Sequence, residues 1–341
     1  LAFLDDPAII ASMRYLGLWV LMLSASLELG HAPAQPSQQR PSPKLVTWFG
    51  PGAITLPTSP DWQLDFIDVY DNGQRPVFQY KNDKTVVTAS FILFENHSGN
   101  PSAKGCRDDA INPILEHQRD SISQRVFDET EDGHGGKYAR ASYLTKLTGS
   151  ANNRDLFLFS GDAKTCAEIH VSAIAGGPDV DARLAAALAE FRPNLVYQPD
   201  SYDYFMVASL LYKQTPMLAA PYYKSSLDAM PPGDPVFVTP KRIATDNLVM
   251  ALGMSGDIKD SRTVAENAIR NDPGYPLNYY NLACADAEQG KAADAKLHLQ
   301  QAFDRKANVL PGEHLPDPTT DDSILKLKNN KEFWAFVQTL K

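Results

Sequence analysis

The 341-residue chain is 43% hydrophobic and 10% aromatic, which places it among globular proteins and makes it long enough for two cores. Its formal net charge is -9, and no run of Lys or Arg forms a stripe, so nothing in it would attract a phosphate backbone and no nucleic-acid partner is expected.

Met13-Arg14-Tyr15 opens a short basic start, followed by an apolar run from Leu16 to Leu29 that Glu28 interrupts near its end. Ala32-Pro33-Ala34 then supplies the small-x-small pattern of a cleavage site, so residues 1–34 read as a secretory signal peptide, with residues 1–12 upstream of its true start. An uncleaved anchor would need about 20 apolar residues, more than this run offers. No Cys sits just past the cleavage site, so a lipoprotein is not indicated. Removing Asp5, Asp6 and Glu28 against Arg14 leaves a mature chain at -7. The expected product is periplasmic or secreted, with no stable membrane insertion after cleavage. Residues 35–43 carry Pro36, Pro41 and Pro43 with no apolar neighbour, and read as a disordered linker.

Residues 44–195 mix strand and helix signals. Asn72-Gly73 between two strand-like runs is a hairpin turn candidate. In the run Thr85 to Phe94, Val87, Ala89, Phe91 and Leu93 share one face and Val86, Ile92 and Phe94 the other, which predicts a central strand apolar on both sides. A helix is expected from about Ser102, restarted or kinked at Asn112-Pro113 because proline fits only a first helical turn. Strands follow near Ala141–Leu147, Asp155–Ser160 and Cys166–Ile174, the last with Ala167, Ile169, Val171 and Ala173 inward and a polar opposite face. Asp179 to Phe191 closes the domain as an amphipathic helix with Leu184, Leu188 and Phe191 on one stripe, stopped by Pro193. In an oxidising compartment Cys106 and Cys166 are a candidate disulfide, stabilising by about 2–4 kcal/mol where geometry permits. The fold class expected is an α+β sandwich, an antiparallel sheet with helices, followed by an all-α solenoid. In strand order, length and closing helix, the first domain resembles the PsbP-like fold of the extrinsic photosystem II subunit P.

Candidate chemistry in this half is thin. Cys166 and His170 would share a strand face, but four residues of strand separate them by about 13 Å, beyond hydrogen-bond reach. Asp128, Thr130, Asp132 and Gly133 imitate the start of a calcium loop whose twelfth position holds Ala139 rather than Glu, so a solvated turn is the reading and no metal is expected. His134-Gly135-Gly136 suggests an oxyanion loop, but no Gly-x-Ser-x-Gly elbow exists to use it, and P-loop, zinc-helix and dinucleotide motifs are absent. No enzyme and no cofactor is expected.

After a short connector, residues 196–340 repeat with a period of 34: Gly256 and Gly290, Leu248 and Leu282, Ala268 and Ala302 are each separated by that interval. The best unit, Pro276 to Asn308, carries Tyr279, Leu282, Ala283, Gly290, Ala295, Leu299 and Ala302, and resembles the tetratricopeptide repeat of bacterial exported proteins. Asp286 replaces the usual aromatic and Ala307 the usual proline. The unit Arg242–Gly274 matches through Leu248, Gly256, Ala265, Ala268 and Pro273, and Ser201–Met230 forms a weaker third unit separated by an inserted loop at Pro231–Pro235. Phe333, Phe336, Val337 and Leu340 supply an apolar face that would cap the solenoid.

The resemblance implies a concave wall lined by the first helix of each unit, with Tyr204, Phe205, Ala208 and Tyr212 facing it from the first, Asn247, Met250 and Met254 from the second, and Tyr280, Asn281, Cys284 and Glu288 from the third. Where carboxylate-clamping relatives place lysines, this chain has Tyr204, Asp246 and Tyr280, so that role is disfavoured. The expected function is an exported scaffold binding a protein or peptide partner through this groove, with oligomer formation open. The alternative is an α+β domain that binds a small molecule or metal, the repeats serving oligomerisation.

Overall fold

The computed structural model describes residues 45–47, 50–70, 75–131, 137–147, 151–177, 179–213 and 215–340. The signal-peptide and linker expectations, the Asn72-Gly73 turn and His134-Gly135-Gly136 lie outside them. The chain divides into two compact units between Pro199 and Asp200.

The first unit is built on a seven-stranded antiparallel sheet. Its strands are β3 (Trp62–Tyr70), β4 (Arg75–Asn82), β5 (Val87–Glu95), β6 (Ile122–Glu131), β7 (Lys137–Lys146), β8 (Asn152–Gly161) and β9 (Thr165–Ala175), in the spatial order β3-β4-β5-β9-β8-β7-β6. A second sheet joins β1 (Leu45–Thr47), β2 (Ala53–Thr55) and β10 (Arg192–Asn194). Strand β5 is interior, as its two apolar faces predict, with Val87, Ala89, Phe91 and Leu93 all buried. Val86 does not share the strand: it is exposed with φ at 53°, in a tight link where Asn82 Oδ1 accepts from the amides of Lys84 (3.1 Å) and Thr85 (3.2 Å).

Helix α1 (Ala103–His117) starts where Ser102 Oγ accepts the amide of Gly105, and it runs through Pro113 without restarting. It packs on β7, β8 and β9 around Phe94, Ile111, Tyr143, Phe157 and Phe159. Helix α2 (Val180–Leu188) stops three residues before the predicted end, with Phe191 beyond it packed on Phe91 (centroids 5.5 Å apart) and Trp62 (5.1 Å). Phe91 and Phe94 point to opposite sides of β5, so the two helices cover opposite faces of the sheet. A disulfide joins Cys106 of α1 to Cys166 of β9 with Cα atoms 5.7 Å apart, closing 60 residues and stabilising by about 4 kcal/mol. Gly161, opposite Cys166 in the ladder, leaves room for it: a Cβ there would collide with Cys106 Sγ and the Ser102 backbone. Of the segment read as an acidic turn, Asp128 to Glu131 are the end of β6, with Asp128 and Thr130 paired with Arg140 and Tyr138 of β7, while Asp132 and Gly133 lie outside the described residues.

The second unit is a stack of helix pairs: α3 (Ser201–Tyr212) with α4 (Pro216–Asp228), α5 (Val238–Met254) with α6 (Ile258–Asn271), and α7 (Pro276–Glu288) with α8 (Ala292–Asp304), each also packed against the next pair. The glycines 34 residues apart have a common cause. Gly256 (φ 82°) and Gly290 (φ 73°) hold the left-handed conformation that ends α5 and α7, and around each the same two bonds close: Gly256 N–H to Gly253 C=O with Asp257 N–H to Leu252 C=O, then Gly290 N–H to Ala287 C=O with Lys291 N–H to Asp286 C=O. Small residues at fixed places, Ala244, Ala251, Ala265, Ala283, Ala295 and Ala302, are fully buried and let the helices nest. The fold is thus an α+β unit followed by a tetratricopeptide-like helical region.

Candidate functional site

The repeat pattern assigns the inner wall to the first helix of each pair. Helix α5 contributes Asp246, Asn247, Met250 and Met254, which recur at the spacing of one helix face. Met250 is 43% and Met254 63% exposed, while Asn247 is half-buried with no side-chain hydrogen bond to any described residue. Asp246 lies deeper, where Asn281 Nδ2 of α7 donates to its Oδ1 at 2.7 Å. Burial, and then the charge of Glu313, push the Asp246 carboxyl up to about 6, although the bond from Asn281 works against them. Tyr212 of α3 is pushed up to about 12 by burial and then by the charge of Asp246.

The third helix of this wall is closed by the protein's own C-terminal segment. Eleven of the thirteen residues of α7 are buried. Leu310 and Leu315 pack on Tyr275, Leu277 and Ile243, and the Tyr275 hydroxyl donates to Glu313 at 2.8 Å. Helix α9 (Asp322–Leu325) lies on α7, where Asp321 accepts from the Tyr280 hydroxyl (3.3 Å) and from Cys284 Sγ (3.7 Å), and Glu288 accepts from Ser323 (2.8 Å) and pairs with Lys326. Helix α10 (Lys331–Val337) completes the cap on α8 with Phe333 and Val337 buried. Tyr280, Asn281, Cys284 and Glu288 therefore do not line an open groove: Asn281 holds Asp246, and the other three hold the tail. Burial and Asp321 raise the Cys284 thiol well above its ordinary range, which disfavours the thiolate form.

In α3, Ala208 is fully buried, and Phe205 and Tyr212 pack edge-on against Tyr223 of α4, with centroids 5.7 and 6.1 Å apart. Tyr204 is half-buried. Tyr212 also feels the charge of Asp246 in α5.

In the first unit, the pairing of Cys166 with His170 is ruled out by partners of their own: Cys166 is in the disulfide, and His170 Nε2 meets Asp155 Oδ1 at 2.9 Å. Sequence spacing gave no sign that Ser90, from another strand, would reach His170 Nδ1 (3.4 Å), or that Asp155 would accept from Thr145 (2.7 Å) and Asn153 (2.8 Å). The Ser-His-Asp order is that of a nucleophile relay, but Ser90 sits inside β5, whose two ladders engage the backbone around it in pairing. The set ties β5, β9, β8 and β7 together. A shallow depression between Arg140 and Arg154 holds each guanidinium on its own carboxylate, Asp128 (2.7 Å) and Asp181 (2.7 Å).

No family model matches the chain, and no curated protein matches it. Among solved structures, YrrB, a TPR protein with an unusual peptide-binding site, is 19% identical over 38% of this chain with a TM-score of 0.28, and the chain spans 60% of its length. The Sgt2 TPR domain from Aspergillus fumigatus is 18% identical over 42% of this chain and 83% of its own, with a TM-score of 0.30. A protein from Bacteroides thetaiotaomicron VPI-5482 is 12% identical over 60% of this chain and 75% of its own, with a TM-score of 0.22. The tetratricopeptide-like assignment rests on the helix pairs and their glycine turns.

Proposed function

We propose that the protein is an exported, non-enzymatic interaction scaffold that holds a protein or peptide partner on the α5 wall of its helical unit. The observation that carries this reading is the group formed by Met250, Met254 and the unbonded Asn247, an adaptable apolar surface beside a free amide that can pair with a peptide backbone. Export is supported by the disulfide between Cys106 and Cys166, a bond that persists in oxidising compartments. The absence of catalysis is supported by the way Ser90, His170 and Cys284 are engaged. A PsbP-like origin of the first unit belongs to the same proposal and rests on strand succession and the closing helix.

A photo-crosslinking residue at position 254, compared with one at the exposed Lys259 of α6, tests the reading in an envelope fraction. A discrete covalent adduct from position 254 alone is expected; no adduct, or the same adduct from both positions, removes the wall as the partner surface.

A further inference from the structure

Of the wall carboxylates, Asp246 has no cation of its own, whereas Glu288 has Lys326 and Glu313 lies in the field of Arg242. Arg242, one turn before Asp246, is forked onto Asp272 (2.6 and 3.1 Å) and stacked over Tyr275 (4.7 Å), and Lys326 is paired with Glu288. Neither Asp246 nor Glu313 joins an ion pair with a described residue; they accept from Asn281, Tyr275 and the Leu310 amide instead. The exposed Asp317 adds a third negative charge on the same segment as Glu313. A half-buried carboxylate without a cation carries a desolvation cost that a positive group would offset.

We infer that the α5 wall takes a basic, amphipathic segment of a partner protein, a Lys or Arg of which supplies the cation that Asp246 lacks. This deepens the reading of the wall as a partner surface and rests on it. The aliphatic stem of such a residue would lie along Met250, one turn from Asp246, while its head reaches that carboxylate, and apolar neighbours in the segment would cover Met254. The elevated titration of Asp246 is what a cation at this place would reverse.

Fluorescence anisotropy with the full chain and three labelled synthetic peptides tests it, the peptides sharing their Leu and Phe positions and carrying Lys, Gln or Glu between them. The Lys peptide is expected to bind about tenfold tighter than the Gln peptide, to weaken with salt, and to lose that advantage in the Asp246→Asn variant. Equal binding of Lys and Gln peptides, or a Lys preference that survives in that variant, overturns the inference. If Met254→Ser weakens the Gln peptide while no charge preference exists, the wall stands and the basic partner falls. If no peptide binding responds to Met254→Ser, the wall itself falls.

Discussion

Helices α5 and α7 hold the same place in successive repeats, and their surroundings differ. In α7 eleven of thirteen residues are buried, whereas α5 leaves Met250 and Met254 43% and 63% exposed. Their terminal turns are made the same way, so the difference does not come from the repeat itself. It comes from the chain after α8, which returns to lie on α7 through Leu310, Leu315, Asp321 and Ser323. A repeat wall is available to a partner only where the protein's own next segment leaves it bare, and a consensus position cannot tell the two cases apart.

The largest expected effect lies at the closed helix. Asp286 of α7 is completely buried where a repeat usually holds an aromatic ring, and it pairs with Arg262 of α6 and with His298 Nδ1 of α8 at 2.6 Å. Burial and the Arg262 charge push His298 below its ordinary value, so the ring meets the carboxylate as a neutral donor through Nδ1–H. Asp286→Ala leaves Arg262 with its surface-facing partner Glu266 alone, and is expected to cost about 3–5 kcal/mol, read as a drop in the denaturant midpoint. A loss below about 1 kcal/mol would show that the three helices do not depend on this buried charge.

The open helix should respond in the opposite direction. The Asp246 carboxyl titrates at about 6 in the folded chain against an ordinary 3.8, so its favourable contribution is present below pH 3.8 and lost as the pH rises through 6. Above that pH the ionised group opposes folding by about 3 kcal/mol. Asp246→Asn keeps an oxygen for the Asn281 amide and is therefore expected to raise the melting temperature at pH 7, leave it nearly unchanged at pH 4, and flatten the profile between. A destabilised variant at pH 7 would mean that a cation already serves Asp246.

How much of this was legible depends on the range of the interaction. The glycine turns were, because a left-handed residue leaves its mark at one position and the repeat copies it 34 residues on. Strand β5 was, because burial on both faces writes an uninterrupted apolar run. Strand β6 was not: it is an edge strand with most residues exposed, so its composition follows solvent rather than alternation. Met250 and Met254 are exposed at the helical spacing that singled them out, yet Tyr280 and Glu288 could not be told from them, since their partners Asp321 and Ser323 lie 41 and 35 residues away with no local pattern to connect them. Ser90, His170 and Asp155 come together across three strands for the same reason.

The smallest effect sharpens the contrast most. Met254 is 63% exposed at the last turn of α5, so removing its thioether gives up little buried area, and Met254→Ser is expected to shift stability by no more than about 0.5 kcal/mol. The same side chain is where a partner's apolar surface would be buried, so the variant should lower affinity while leaving the thermal unfolding curve in place. A clear loss of stability would place Met254 inside a packed interface of the folded chain, and α5 would then be as closed as α7.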